Sequence, residues 1–346
     1  MSPNLKQAAE LIRQGQCVGM PTETVYGLAG DALNPKALAR IFEIKERPTF
    51  DPLILHISPK ILSRLNEWVT FKNPKQEVTF KKLSGKFWPG ALTILFQKKP
   101  IVPDLATSGL PEVAIRMPNH PVAQALIDEV DRPLAAPSAN KFGSISPTTS
   151  SHVLKELGSR VTLVLNGGSS LIGVESTVIR IHDDSIEILR PGGVSQEELT
   201  ACTGLRVNQS TSSHGTLSAS PGTLDNHYAP KTKLFLIPTS LLGAPIQDLK
   251  NWVWDLKKKH GAKKIAGIML SASHRSKFET GSQLLADKWF SLSEKNQPTE
   301  IAHSLFAILR EVDESGVDLI IAEPVTEKSG LWPAIEDRLK KASTKR

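Results

Sequence analysis

The chain has 346 residues, 40% hydrophobic and 22% charged, with a formal net charge of +7. That length is comfortable for two domains, each with its own core, and the balance is that of an ordinary globular protein, which excludes a disordered or fibrous chain. No run approaches the roughly 18 to 20 apolar residues of a membrane span. Two cysteines set far apart, Cys17 and Cys202, exclude a disulfide framework or a cysteine-rich zinc site and fit a reducing cytosol. The positive charge favours an anionic partner such as a nucleotide or RNA without specifying a fold.

Leu5 to Gln14 carries Leu5, Ala8, Ala9, Leu11 and Ile12 at helical spacing, with Gly15 as its stop. Its Gln, Glu and Arg residues interrupt any secretory hydrophobic run. CVGMP opens the first strand. From Met20 to Ile57, polar groups, glycines and cations are concentrated with little core periodicity. In PTETVYGLAG, Thr22, Glu23, Thr24 and Tyr26 stand beside Gly27 and Gly30, a composition suited to backbone that lies close to a ligand. PKALARIFEIKER places Pro35 in a first helical turn and delivers Lys45 and Arg47 at its end, before Pro48 stops the helix. Such a pair can meet a phosphate, Lys as a point charge and Arg as a fork of donors, or can complement the dipole of a solvated helix end. Both side chains are expected to be reachable by solvent rather than part of the core.

PLILHIS reads as a buried strand holding His56, which is either a core histidine or a ligand contact. Residues 58–86 read as helices joined by polar turns, with Trp68 and Phe71 as packing residues. KFWPGALTILF then gives a Pro89-Gly90 turn and a strand from Leu92 to Phe96. VAIRMPNHP is a strand carrying Arg116, whose head, if buried, needs either a ligand anion or an internal salt bridge. HPVAQALIDEV is an amphipathic helix. RPLAAPSANKFGSISPTT is a second polar stretch, in which Leu134 to Ala136 runs into Pro-Ser-Ala-Asn. Small residues flanking Ser138 and Asn140 can form an anion-binding turn.

SSHVLKELG is a helix, VTLVLNGG a strand, and LIGVESTVIRI a further strand that starts with Glu175, Ser176 and Thr177. No GxSxG elbow is present, so Ser176 is read as a binding hydroxyl and not a nucleophile. IEILRPGGVS puts Arg190 at a strand end before Pro-Gly-Gly, within reach of a phosphate. Beyond Arg206 a Ser-, Thr-, Gly- and Pro-rich segment reads as a linker. Residues 232–346 alternate as KLFLIP, LKNWVWDLKKKH, KKIAGIML, TEIAHSLFAILREVDESG, VDLIIAEPV and WPAIEDRLKKAS, a βαβαβα order that predicts a small parallel-sheet domain. No GxGxxG follows its first strand, so nothing there indicates a dinucleotide.

PTETVYGL, KERP, DPLILHI, APSAN and HYAP, in that order, resemble the YrdC-like threonylcarbamoyl-AMP synthase family in its longer, two-domain form, and the resemblance covers nearly the whole chain. It implies an α/β fold, a twisted mixed sheet with flanking helices around a basic cavity, followed by a small Rossmann-like parallel domain. The expected division is 1–206 catalytic, 207–231 linker and 232–346 C-terminal domain. The implied reaction joins L-threonine, bicarbonate and ATP into L-threonylcarbamoyladenylate and releases pyrophosphate, for threonylcarbamoylation of adenosine 37 in tRNA by a separate transferase complex in the cytoplasm. By the same resemblance Thr24, His56, Arg116, Ala136 and Ser176 would hold threonine. Lys45, Arg47, Asp51, Ser138, Asn140, Ser146, Arg190 and Tyr228 would bind ATP, with Lys45 and Arg47 central to turnover. His56 is either an acid/base or an orienting group. No carboxylate cluster marks a metal cage, so Mg²⁺ is expected to arrive on ATP. Direct binding of tRNA or double-stranded RNA is not required, and the 5% aromatic content argues against a stacking RNA surface. Related hydrogenase-maturation proteins that use carbamoyl phosphate carry zinc-finger cysteines that this sequence lacks.

Overall fold

The structure, a computed structural model, describes residues 3–210, 228–275 and 285–343. The chain divides into two compact units. The first holds Met1–Phe142 and Ser146–Leu224, the second Gly143–Ile145 and Asp225–Arg346.

The first unit is built on a ten-stranded mixed sheet. Its strands are β1 (Val18–Met20), β2 (Gly27–Asp31), β3 (Ile54–His56), β4 (Val69–Thr70) and β5 (Leu92–Lys98), then β6 (Glu112–Arg116), β7 (Leu134–Ala135), β8 (Thr177–Ile181), β9 (Ser185–Arg190) and β10 (Arg206–Gln209). In space they run β1-β2-β7-β3-β6-β5-β8-β9-β10, with β4 pairing β5 at one end. β3 is parallel to β6 and β5 to β8, while β5 and β6 are antiparallel. Residues 161–168, expected as a strand, instead form only an isolated bridge of Val164 with Gly19, closed by the carbonyl of Leu163 and the N–H of Leu165. β10 carries the first unit past the boundary expected at 206, because Arg206–Gln209 pairs in parallel with β9. Most of the expected linker, residues 211–227, lies outside the described residues.

Helices cover the sheet for the reasons their sequences give. Pro3–Arg13 buries Leu5, Ala8, Ala9 and Ile12 and lies against Pro121–Val130. Pro35–Lys45 starts under the Asn34 side chain, which accepts from the N–H of Lys36, and has Pro at its first turn. It ends at Lys45, three residues before Pro48, because Glu46 takes a left-handed φ of 53° and its N–H returns to the last carbonyls. Phe71, Phe80, Trp88 and Phe96 form one aromatic group, with ring centroids 5.4 to 5.6 Å apart.

The second unit has a four-stranded parallel sheet in the order β11-β14-β12-β13. Its strands are β11 (Lys233–Leu236), β12 (Ile265–Met269), β13 (Lys288–Ser291) and β14 (Leu319–Ala322), and it carries helices Ile246–His260, Pro298–Asp313 and Trp332–Ser343. β13 has no counterpart among the expected elements. Its four residues are exposed or half-buried and so give no apolar run to read. No helix among the described residues is long and apolar enough to cross a membrane.

Candidate active site

The two polar stretches meet through their backbones. The N–H of Leu28 donates to the Pro137 carbonyl and that of Ala139 to the Tyr26 carbonyl, both at 2.8 Å. Gly27 faces Ser138 across an isolated bridge, and a Cβ at Gly27 would stand 3.0 Å from the Ala136 methyl, so a larger residue there would crowd the second stretch. Tyr26 is structural: its hydroxyl donates to Gly168 O at 2.7 Å and accepts from Gly167 N–H.

Lys45 ties the end of its helix to the second stretch. Its ammonium donates to the carbonyls of Ser138 at 2.5 Å and Asn140 at 2.6 Å, and its own carbonyl accepts from Phe142 N–H at 2.8 Å. Burial, with Arg47 beside it, holds its pKa well below the usual lysine range; Asp51 acts in the opposite sense. Even a neutral amine keeps two N–H donors, enough for both carbonyls. Arg47 donates from Nε to Asp51 O and from Nη2 to Pro52 O, and pairs with the Asp51 carboxylate at 2.8 Å. The expectation of solvent-reachable cations is therefore corrected: Lys45 is 1% exposed and Arg47 8%. The left-handed turn at Glu46 folds the chain back over the helix end, so both side chains meet carbonyls instead of water.

Five neighbouring strands bring His56, Arg116 and Arg190 into one row with Thr93. His56 on β3 is opposite Arg116 on β6, Arg116 is opposite Thr93 on β5, Thr93 is opposite Val178 on β8, and Val178 is opposite Arg190 on β9. Residues in register share a sheet face. The Thr93 and Ser176 hydroxyls lie 2.7 Å apart, and Arg190 Nη2 donates to Ser176 O at 2.8 Å and to its hydroxyl at 3.2 Å. Arg116 Nη2 meets the Glu23 carboxylate at 2.6 Å while its Nε donates to Gly90 O. His56 is 2% exposed and its Nδ1–H donates to Ile54 O at 3.2 Å. Burial, reinforced by the Arg116 charge, pulls its pKa down to about 3, so the ring is neutral at physiological pH.

Around this row, Thr24 is buried with its hydroxyl 2.9 Å from that of Thr22. Ala136 is buried and its N–H donates to Ile54 O. Ser146 donates to the Glu175 carboxylate at 2.7 Å. Gly192 lies against this turn so closely that a Cβ would fall 2.3 Å from the Ser176 carbonyl carbon and the Thr177 nitrogen. The first unit thus gathers every expected site residue except Tyr228. Tyr228 belongs to the second unit, where its ring stacks on Phe306 with centroids 5.4 Å apart and the Arg338 guanidinium sits over the ring, 5.2 Å from its centroid. His227 of the same motif lies outside the described residues.

Three residues in this arrangement had no assigned role in the sequence: Glu23, Thr93 and Glu175. Glu23 and Glu175 sit in motif stretches, and a buried carboxylate beside a buried cation or hydroxyl is the signal that identifies them, but burial is not legible there. Thr93 looks like any strand threonine until its partner is known. Among the described residues no group of three or more His, Cys, Asp or Glu side chains could hold a metal ion.

Residues 10–192 match the Sua5/YciO/YrdC family, described as telomere recombination, and residues 194–344 match a family described as the threonylcarbamoyl-AMP synthase C-terminal domain. The chain is 39% identical over 343 residues to the threonylcarbamoyl-AMP synthase of Pyrococcus abyssi, covering 98% of this chain and 94% of that protein. It is 38% identical to the enzyme of the same name from Bacillus subtilis, covering 99% and 93%. The crystal structure of P. abyssi Sua5 complexed with L-threonine superposes with a TM-score of 0.83 at 36% identity, over 98% of this chain and 94% of that one.

Proposed function

Because the chain belongs to the two-domain threonylcarbamoyl-AMP synthase family, we propose that it joins L-threonine, bicarbonate and ATP into L-threonylcarbamoyladenylate and releases pyrophosphate. The threonine amine attacks bicarbonate and water leaves, giving a carbamate. A carbamate oxygen then attacks the α-phosphorus of ATP, the bond from that phosphorus to the bridging oxygen breaks, and pyrophosphate departs. Three anions must share one place, so positioning and charge compensation carry the catalysis and no protein nucleophile is needed. ATP enters as its Mg²⁺ complex, with the ion as part of the substrate.

In this reading Arg116 takes the threonine carboxylate, sharing its donors with Glu23, while His56, Thr24, Ser176 and the backbone at Ala136 shape the pocket for the amino acid. Burial and the Arg116 charge favour the neutral ring, which suits His56 to orienting threonine. Lys45 fixes the turn that carries Ser138 and Asn140, and together with Arg47, Asp51, Ser146 and Arg190 it forms the nucleotide side. The product passes to a transferase complex that modifies tRNA in the cytoplasm, and direct contact with tRNA is not required.

The observation that carries this reading is the Lys45 ammonium on the carbonyls of Ser138 and Asn140, which joins the helix-end cations and the second polar turn at one place. Pyrophosphate release from ATP, measured with and without L-threonine and bicarbonate, is the test. Release that needs both is expected. Release indifferent to threonine, or RNA affinity that falls steeply with salt while no pyrophosphate forms, would replace the synthase with a different activity.

A further inference from the structure

Within the second unit, the connections from β11 to β12 and from β13 to β14 run in opposite directions across the strand order β11-β14-β12-β13. Crossovers between parallel strands are right-handed, so the helices they carry, Ile246–His260 and Pro298–Asp313, fall on opposite faces. Leu249 and Val253 of the first accordingly pack with Leu319 and Ile321 of β14, whereas helix Trp332–Ser343 lies against β11 and helix Pro298–Asp313. The neighbours β11 and β14 therefore send the chain to different faces, and a crevice opens between their carboxyl ends. Open parallel sheets bind ligands at such a switch point.

A cavity of about 410 Å³ occupies that place. Pro238 past β11 and Val325 past β14 form apolar walls together with Leu339 of the last helix. Its charged groups are Lys328, Glu336 and Lys340. Both Glu336 carboxylate oxygens accept from Lys328 Nζ at 2.8 Å, and Lys340 Nζ lies 2.5 Å from one of them. The Glu336 side chain is 16% exposed, against 68% for Lys328 and 62% for Lys340, so the carboxylate lies inside and the ammonium groups at the rim. Two cations sharing one anion leave a single positive charge. Each ammonium has three N–H donors, more than the shared carboxylate takes up.

We propose that this cavity is a second ligand site, for a small organic carboxylate that carries one negative charge on an apolar body. The carboxylate meets the ammonium groups of Lys328 and Lys340, and the body lies on Pro238, Val325 and Leu339. Charge selects the ligand. A residual charge of one matches a single carboxylate, whereas a nucleoside triphosphate would bring several negative charges up to Glu336. The volume lies within the range of small-molecule sites, about 300–1,000 Å³, and the mainly apolar lining with a few convergent polar groups is their usual composition. Charge-assisted hydrogen bonds then fix orientation while the walls supply contact area.

The probe is 1-naphthoate, with 1-naphthamide as the same body without charge and acetate as the same charge without the body. Each is titrated by calorimetry into the full-length protein and into Lys328→Met, Lys340→Met and Glu336→Gln. One naphthoate should bind per chain, with the amide and acetate at least about tenfold weaker, the worth of one charge-assisted hydrogen bond. Each lysine substitution should weaken naphthoate about tenfold. Glu336→Gln, which withdraws the competing carboxylate, should tighten it by about the same factor. That gain is a readout that a merely structural triad would not give. Absence of saturable naphthoate binding, equal affinity for the amide, or an affinity unchanged in all three variants would overturn the proposal. So would weaker binding in Glu336→Gln, because the carboxylate would then be bracing the helix rather than competing with a ligand. Pyrophosphate release plays no part in the measurement, so this site and the synthase reading stand or fall separately.

Discussion

The Glu23 carboxylate and the Arg116 guanidinium meet at 2.6 Å, with both side chains enclosed, although 93 residues separate them in the chain. Removing one partner of such a pair leaves a buried charge without compensation, at a cost of about 3–5 kcal/mol. Glu23→Ala should lower unfolding free energy in urea by that amount, and added L-threonine, whose carboxylate can replace the missing partner, should restore more stability to the variant than it adds to the wild type. An equal gain in both would show that threonine does not engage Arg116.

Lys45→Met keeps the length of the side chain and removes both donors, leaving the carbonyls of Ser138 and Asn140 without the ammonium. A buried acceptor stripped of its donor costs about 1–3 kcal/mol. The variant should therefore lose both stability and pyrophosphate release, measured by thermal unfolding and by turnover. A melting temperature equal to that of the wild type would mean that the ammonium does not brace the turn.

His56 titrates near 3 in the fold against 6.5 in the unfolded chain, so between these values the unfolded state binds the extra proton. The stability His56 contributes is complete above pH 6.5 and is lost as pH falls toward 3, in full on the order of 5 kcal/mol. His56→Gln should flatten the stability profile between pH 6 and 4, measured by urea unfolding at a series of pH values. The pH profile of wild-type kcat/KM should carry no inflection from this ring between pH 5 and 8. An inflection in that range that disappears in His56→Gln would restore an acid/base role.

Gly192→Ala is expected to be severe, because its methyl would collide with backbone atoms at Ser176 and Thr177 that cannot swing aside. Overpacking of this kind costs typically 1–3 kcal/mol and here displaces the strand start that carries Ser176. Threonine KM should rise along with the loss of stability. A variant with unchanged kinetics and melting temperature would show that the turn has room to relax.

Much of the architecture was legible because local pattern and global fold agree. Pro35, the 3.6-residue spacing of Leu38, Ile41 and Phe42, and the cations after them give the helix and its polar end without any tertiary information. β13 escaped because its residues are only half-buried, and β10 because a short polar strand paired on one side looks like a linker. The environment of Lys45 and Arg47 was misjudged for a related reason: a cation at a helix end is ordinarily solvated, and only the left-handed turn at Glu46 turns these two inward.

The amino-acid sequence by itself determined the presence of two domains, most of the strands and helices, and which polar residues stand in glycine-rich turns and apolar strands, since each of these depends on residues within a few positions of one another. The tertiary structure decided who faces whom. His56, Arg116, Thr93 and Arg190 lie on β3, β6, β5 and β9, and only a strand order unlike the chain order, with registers fixed over more than a hundred residues, sets them on one face and gives each buried charge its partner.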